Sequence, residues 1–167
     1  PAVGDLDGDR LPEVVVCGNS GAYNTALAEH AFALILAAAK RIVYHATNIR
    51  KQQFEQEMPG KQLRGATLGV IGLGAIGKEV ARLGQAFGMR VLGVRRGATE
   101  RQLGVGPVDE LLPLSALHEM LARSDYVVIA LPLTRETERL FGERELRAMK
   151  PTAYLINVGR GQVVDEP

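Results

Sequence analysis

The sequence predicts an α/β fold in which a doubly wound parallel sheet carries helices on both faces. Three observations lead there. From Ala66 onward, short apolar runs alternate with amphipathic segments, the pattern of successive strand–helix–strand units. The runs are bounded by turn residues and rich in Val, Ile and Leu, as buried parallel strands are. The first of them runs directly into Gly72-Leu73-Gly74-Ala75-Ile76-Gly77, which in turn opens a helical pattern.

The elements follow in order. Pro1 to Pro12 is polar and turn-rich; Asp5, Asp7 and Asp9 sketch a calcium loop but lack its closing Glu and flanking helices. Glu13–Cys17 reads as a short buried strand. From Asn24 to about His45, Leu27, Phe32, Ile35, Leu36 and Val43 recur at three- and four-residue spacings among alanines. That predicts one long helix, apolar on nearly every side, of the kind found at a domain junction or subunit interface. Gln52 to Leu63, with Pro59-Gly60, is a connector. Strands are expected at Thr67–Ile71, Arg90–Val94, Tyr126–Leu131 and Ala153–Val158. Helices are expected at Ala75–Phe87, with Val80, Ala81, Leu83 and Phe87 turned inward, at Ser115–Ala122 with Ser115 as N-cap, and at Glu143–Met149.

Composition narrows the function. Of 167 residues, 46% are apolar and 23% charged, so a packed core rather than disorder is expected. Lys and Arg total 20 against 19 acidic residues, a balance that offers no general attraction to nucleic acid or an anionic membrane. The longest apolar run, Ala31 to Ala39, is half of the roughly 20 residues that span a bilayer. One cysteine, Cys17, forms no internal disulfide and no cysteine-rich metal site, which favours a reducing compartment such as the cytoplasm. The N-terminus shows no signal-type pattern. Aromatic residues make up only 5%, too few for the stacking platforms of single-strand binders.

The Gly72–Gly77 turn is G-x-G-x-x-G, a short pattern whose weight comes from the strand before it and the helix after it. Gly72 permits the tight turn, Gly74 lets backbone approach a pyrophosphate, and Gly77 lets the helix pack against the strand. The helix N-terminus then offers unpaired N–H groups to the phosphate. This is a Rossmann-type dinucleotide fingerprint. It expects an acid about 20 residues on, to bind the adenosine ribose, but Arg95 and Arg96 stand there instead. An arginine pair neutralises a 2′-phosphate, so NADP is expected ahead of NAD, with Thr99 a further hydroxyl nearby.

Four segments in order carry a family resemblance: NSGAYNTALAEHAFALIL from Asn19, GATLGVIGLGAIGKEVA from Gly65, SDYVVIALPLTRETERLF from Ser124 and MKPTAYLINVGRGQVVDE from Met149. In these the chain resembles the D-isomer-specific 2-hydroxyacid dehydrogenases, among them glyoxylate/hydroxypyruvate reductases, phosphoglycerate dehydrogenases and D-lactate dehydrogenases. The resemblance implies that Arg160 is catalytic, binding the carboxylate and carbonyl of a small 2-oxo or 2-hydroxy acid with a guanidinium fork that lysine lacks. It also implies that Ala75 and Ile76 touch the pyrophosphate, Leu131 and Pro132 the adenosine or ribose, Thr137 the cofactor, and Val158, Gly159 and Arg160 the nicotinamide end. Asn19 to Ala22 match a loop at the domain crossover.

None of the three histidines matches the family's general acid. His30 belongs to the long helix, His45 lies near its end, and His118 falls in a surface-type helix. In the family the catalytic histidine and its glutamate partner follow the arginine, whereas Asp165 and Glu166 match a different segment. The expected division is therefore 1–18 as the end of a substrate domain and 19–167 as the crossover helix and a dinucleotide domain short of its last strands. A homodimer through the long apolar helix is implied, and no metal. Two alternatives stand beside the oxidoreductase: a dinucleotide-sensing regulator of the corepressor type on the same fold, and a truncated product that binds nucleotide without turnover.

Overall fold

The computed structural model describes residues 23–53 and 60–165. The strand expected at Glu13–Cys17, the Asn19–Ala22 loop and the boundary at residue 18 lie outside the described residues.

The apolar stretch forms two helices where one was expected. Helix α1 spans Asn24–Ala39 and α2 spans Ile42–Arg50, separated by Arg41 in the left-handed conformation (φ 52). The cause is a competing hydrogen bond. The Ala39 carbonyl, which would cap the next helical turn, instead accepts the Lys61 N–H at 2.7 Å, and the Lys40 ammonium donates to the Lys61 carbonyl at 3.0 Å. The returning chain thus takes the acceptor that a continuous helix needs. Helix α1 buries Ala28, Ala31, Phe32, Ile35 and Ala39, a three- and four-residue spacing that defines one face.

The sheet has six strands: β1 Thr67–Ile71, β2 Arg90–Val94, β3 Gln102–Val105, β4 Val108–Leu112, β5 Tyr126–Ile129 and β6 Tyr154–Asn157. Their order is β3-β4-β2-β1-β5-β6. All neighbours are parallel except β3 and β4. Helix α3 (Ala75–Ala86) links β1 to β2, α4 (Leu117–Arg123) precedes β5, and α5 (Glu143–Ala148) precedes β6.

Alternating residues along each strand build a core on each face. Leu68, Val70, Val91, Tyr126, Val128 and Ile156 pack under α1 and α3. Ile71, Leu92, Val94, Val127 and Ile129 pack with Met120 and Leu121 of α4 and with Phe141. Helices on both faces explain why the central strands read as continuous apolar runs.

Several boundaries differ from expectation for local reasons. The β3–β4 hairpin was not anticipated; it turns through Gly106 (φ 60) and Pro107, and a glycine at the first turn position favours this connection. Ser115 is not an N-cap. The Ala116 N–H donates to the Pro113 carbonyl, so a short 3₁₀ turn begins at Leu114, takes in Ser115 and leaves α4 to start at Leu117 without a side-chain cap. Strand β5 ends at Ile129 rather than Leu131, and β6 spans only Tyr154–Asn157. Phe87 falls just past α3, 39% exposed, and stacks on Phe32 instead of entering the core.

One buried charge ties β4 to its neighbours. Glu110, 3% exposed, receives Arg123 at 2.6 and 3.1 Å, the Arg101 Nε at 3.1 Å and Arg90 at 3.3 Å. The Arg123 hydrogen bond, outweighing burial, holds the Glu110 carboxyl below its ordinary range.

Candidate functional site

The carboxyl ends of β1, β2, β5 and β6 meet where the strand order turns back, between β1 and β5, the place where open α/β sheets form a ligand crevice. At the end of β1, Gly72 has φ +93, a conformation that side chains resist. A Cβ there would lie 2.7 Å from the Ala130 carbonyl oxygen and from the Leu131 side chain. The Gly72 N–H donates to the Val94 carbonyl at 3.0 Å, tying the turn to β2. A Cβ on Gly77 would fall on the Gly72 carbonyl, so α3 rests directly on the turn.

Gly74 differs from both. It has ordinary dihedrals (φ −73) at the N-cap of α3, and a Cβ would meet no protein atom within 4 Å. The first helical hydrogen bond runs from the Lys78 N–H to the Gly74 carbonyl, leaving the N–H groups of Ala75, Ile76 and Gly77 outside the helix ladder. Open space at Gly74, three N–H groups outside the helix ladder and a positive helix end together suit an anion.

At the end of β2, Arg95 and Arg96 are both exposed. The Arg96 guanidinium lies 3.9 Å from the Glu136 carboxylate, which belongs to the loop after β5. That loop is organised by two threonines. The Thr137 hydroxyl donates to the Pro132 carbonyl at 2.6 Å and accepts the Thr134 N–H at 2.8 Å; the Thr134 hydroxyl donates to Glu136 at 2.8 Å. The Thr134 bond, more than the distant Arg96 charge, holds the Glu136 carboxyl below its ordinary range.

At the end of β6 the Val158 N–H donates to the Ile129 carbonyl, continuing the parallel register. A Cβ on Gly159 would lie 2.5 Å from the Leu131 carbonyl oxygen. The Asn157 side chain closes the next turn, accepting the Gly159 N–H at 2.9 Å and donating to the Arg160 carbonyl at 2.8 Å. The Arg160 side chain is exposed and donates to the Gly159 carbonyl at 3.0 Å. Phe141, fully buried, pins the following residues: its N–H donates to the Val163 carbonyl and its carbonyl accepts the Asp165 N–H.

Of the residues singled out in the sequence, Gly72, Leu131 and Gly159 are in direct apposition, with Gly74 to Gly77, Pro132, Val158 and Arg160 on the same turns. Arg96 joins them through Glu136. Arg95 makes no side-chain bond among the described residues, and Thr137 spends its hydroxyl inside its own loop. Sequence reasoning missed Asn157, Thr134 and Glu136. The signal for Asn157 was legible: Asn commonly bonds backbone two residues on, and Gly159 stands there.

The histidines lie on other elements. His118 on α4 meets Glu145 on α5 at 3.0 Å, and Glu145 also accepts the Gly142 N–H. Burial opposes the Glu145 carboxylate, but these two bonds outweigh it and hold its carboxyl below the ordinary range. His30 is exposed on α1, and His45 packs edge-on against Tyr44. Among the described residues, no three His, Cys, Asp or Glu side chains gather as metal ligands. No described helix is long and apolar enough to cross a membrane.

Comparison with known proteins agrees with this architecture. The chain is 40% identical over 161 residues to a glyoxylate reductase of Korarchaeum cryptofilum, covering 92% of this chain and 46% of the relative. It is 40% identical over 163 residues to a glyoxylate reductase of Aeropyrum pernix, covering 91% and 47%. Among solved structures, a glycerate dehydrogenase related protein from Thermoplasma acidophilum superposes with TM-score 0.79 at 39% identity, over 98% of this chain and 55% of that one. A D-lactate dehydrogenase from Aquifex aeolicus, complexed with NAD and lactic acid, gives TM-score 0.75 at 37% identity, over 86% and 43%. The chain spans about half the length of the curated relatives it matches. The family model described as D-isomer specific 2-hydroxyacid dehydrogenase, NAD binding domain, matches residues 32–167. With this match, and with the strand order and crevice it accompanies, the chain belongs to the D-isomer-specific 2-hydroxyacid dehydrogenase family.

Proposed function

We propose that this chain forms the dinucleotide half of an oxidoreductase that interconverts a small 2-oxo acid, such as glyoxylate or hydroxypyruvate, with its 2-hydroxy acid. The observation that carries the reading is Gly74. Neither packing nor backbone strain requires glycine there, whereas a pyrophosphate lying against the N–H groups of Ala75, Ile76 and Gly77 does. A bound nicotinamide dinucleotide supplies or accepts the hydride.

The chain's own residues do the rest. Leu131 and Pro132 wall the adenosine side, with Thr137 keeping their loop in place. Val158 and Gly159 border the nicotinamide end. Arg160 grips the substrate carboxylate and turns positive charge toward the carbonyl oxygen, where negative charge grows as hydride arrives. The hydrogen bonds from Asn157 aim the Arg160 backbone. The resemblance implies that a histidine following the arginine gives the proton to that oxygen; His30, His45 and His118 lie on α1, α2 and α4.

The finer expectations belong to the same proposal. Arg95 and Arg96 favour NADP over NAD. Residues 1–18 are assigned to the end of a substrate domain and 19–167 to the crossover helix and the dinucleotide-binding domain. Ile42, Val43 and Ile49 of α2 are 52, 56 and 69% exposed beside the apolar α1. These exposed apolar side chains, continuing the long apolar helix region, suit burial against a second copy. The single Cys17 suits a cytoplasmic setting. The test is to mix the full-length protein with NADPH or NADH and a panel of 2-oxo acids and follow nicotinamide absorbance. Loss of absorbance with small 2-oxo acids is expected; none with any member of the panel overturns the assignment.

A further inference from the structure

We propose that Glu136 is a specificity-determining residue for the cofactor: its carboxylate beside Arg96 weakens selection for a 2′-phosphate and supplies the acid that β2 lacks. The inference rests on the dinucleotide reading above. Strands β2 and β5 flank β1, so the loops after them face each other across the phosphate turn. Arg96 comes from one loop and Glu136 from the other, and they meet at 3.9 Å.

Glu136 is an exposed carboxylate with one side-chain hydrogen bond to steady it. The Thr134 hydroxyl holds it at 2.8 Å, and Thr134 is itself held by Thr137, which is anchored on Pro132. The chain of bonds therefore runs from the wall of the adenosine side to the one carboxylate that, among the described residues, is paired with a β2-end arginine. Its effect on the two cofactors has opposite signs. A 2′-phosphate is attracted by Arg95 and Arg96 but repelled by Glu136, while a ribose with free hydroxyls finds in Glu136 an acceptor of the kind usually carried at the end of β2. Arg101, the next cation along, is taken up by Glu110 and Glu119 and does not alter this balance. Among the described residues, Arg96 is the cation paired with Glu136.

The experiment is calorimetric titration of the full-length protein with NADPH and with NADH, for wild type, Glu136→Gln and Thr134→Val. Glu136→Gln is expected to shift the ratio of the two Kd values toward NADPH by about two- to fivefold, the scale of an exposed charge pair. Thr134→Val, which releases the carboxylate, is expected to shift it the same way by less, and high salt is expected to shrink both shifts. A ratio unchanged in Glu136→Gln, including equal weakening of both cofactors, overturns the inference and leaves the dinucleotide reading standing. Failure of both nucleotides to bind the wild type overturns the reading and the inference together.

Discussion

Asn157 holds Arg160 from the end of β6: its amide donates to the Arg160 carbonyl at 2.8 Å while its carbonyl oxygen accepts the Gly159 N–H at 2.9 Å. The strand delivers the turn, Gly159 lets it pass against Leu131, and Asn157 sets the direction in which the arginine leaves the sheet. The turn is surface-built, since Asn157 and Arg160 are both exposed, so its rigidity comes from hydrogen bonds and not from burial.

Replacing Asn157 with Ala therefore leaves the folded state nearly intact but loosens Arg160. We expect kcat/KM for the 2-oxo acid to fall about tenfold, with most of the loss in kcat, because misplacement of a charge-stabilising group by an ångström costs transition-state stabilisation. Steady-state kinetics beside a thermal melt checks this. An unchanged kcat/KM would show that the turn does not need the Asn157 bonds.

Gly74 and Gly77 separate binding from folding. Gly74→Val fills space that no protein atom occupies, so the melt should stay close to wild type while dinucleotide affinity drops at least about tenfold. Gly77→Ala drives a methyl onto the Gly72 carbonyl and should destabilise the fold by about 1–3 kcal/mol. Denaturant unfolding and nucleotide titration of the two variants give the pair of readouts. Equal stability loss in both would mean that Gly74 is needed for packing.

Glu110 makes a pH prediction. Arg123, Arg101 and Arg90 surround a carboxylate that is 3% exposed, and its carboxyl is held below the unfolded value. A depressed carboxyl contributes stability that is present above the unfolded pKa, about 4.3, and lost as pH falls through the lower folded value. Glu110→Gln should therefore cost about 1–3 kcal/mol at neutral pH, with the arginines' partial exposure keeping it from more, and the difference from wild type should shrink below about pH 4. Urea unfolding at the two pH values measures it. A difference independent of pH would assign the loss to shape and not to charge.

Much of the fold was legible because its signals are local. The strands at Thr67–Ile71 and Arg90–Val94 announced themselves as apolar runs, and the glycine turn stood between a strand and a helix as the fingerprint requires. What failed was decided by distant partners. The break between α1 and α2 follows from Lys61 taking the Ala39 carbonyl, a contact that no window around Arg41 contains. The helix expected from Ser115 was displaced by a turn that Pro113 begins. The β3–β4 hairpin carried a readable sign in Gly106-Pro107, but β3 is short and exposed, and Asp109 and Glu110 interrupt the apolar run of the buried β4. In the site, Glu136 was invisible for the same reason as the helix break: its meaning lies in a loop two strands away.

The central claim is that Arg160 and the Gly72–Gly77 turn serve one hydride-transfer site. The most direct test is the rate of NADPH oxidation with glyoxylate by the full-length protein, compared with its Arg160→Ala variant at matched nucleotide affinity. The expected result is turnover by the wild type and a loss of about 10²-fold or more in kcat/KM for the variant. Nucleotide binding without turnover of glyoxylate or any other small 2-oxo acid, or equal turnover by both proteins, would contradict it.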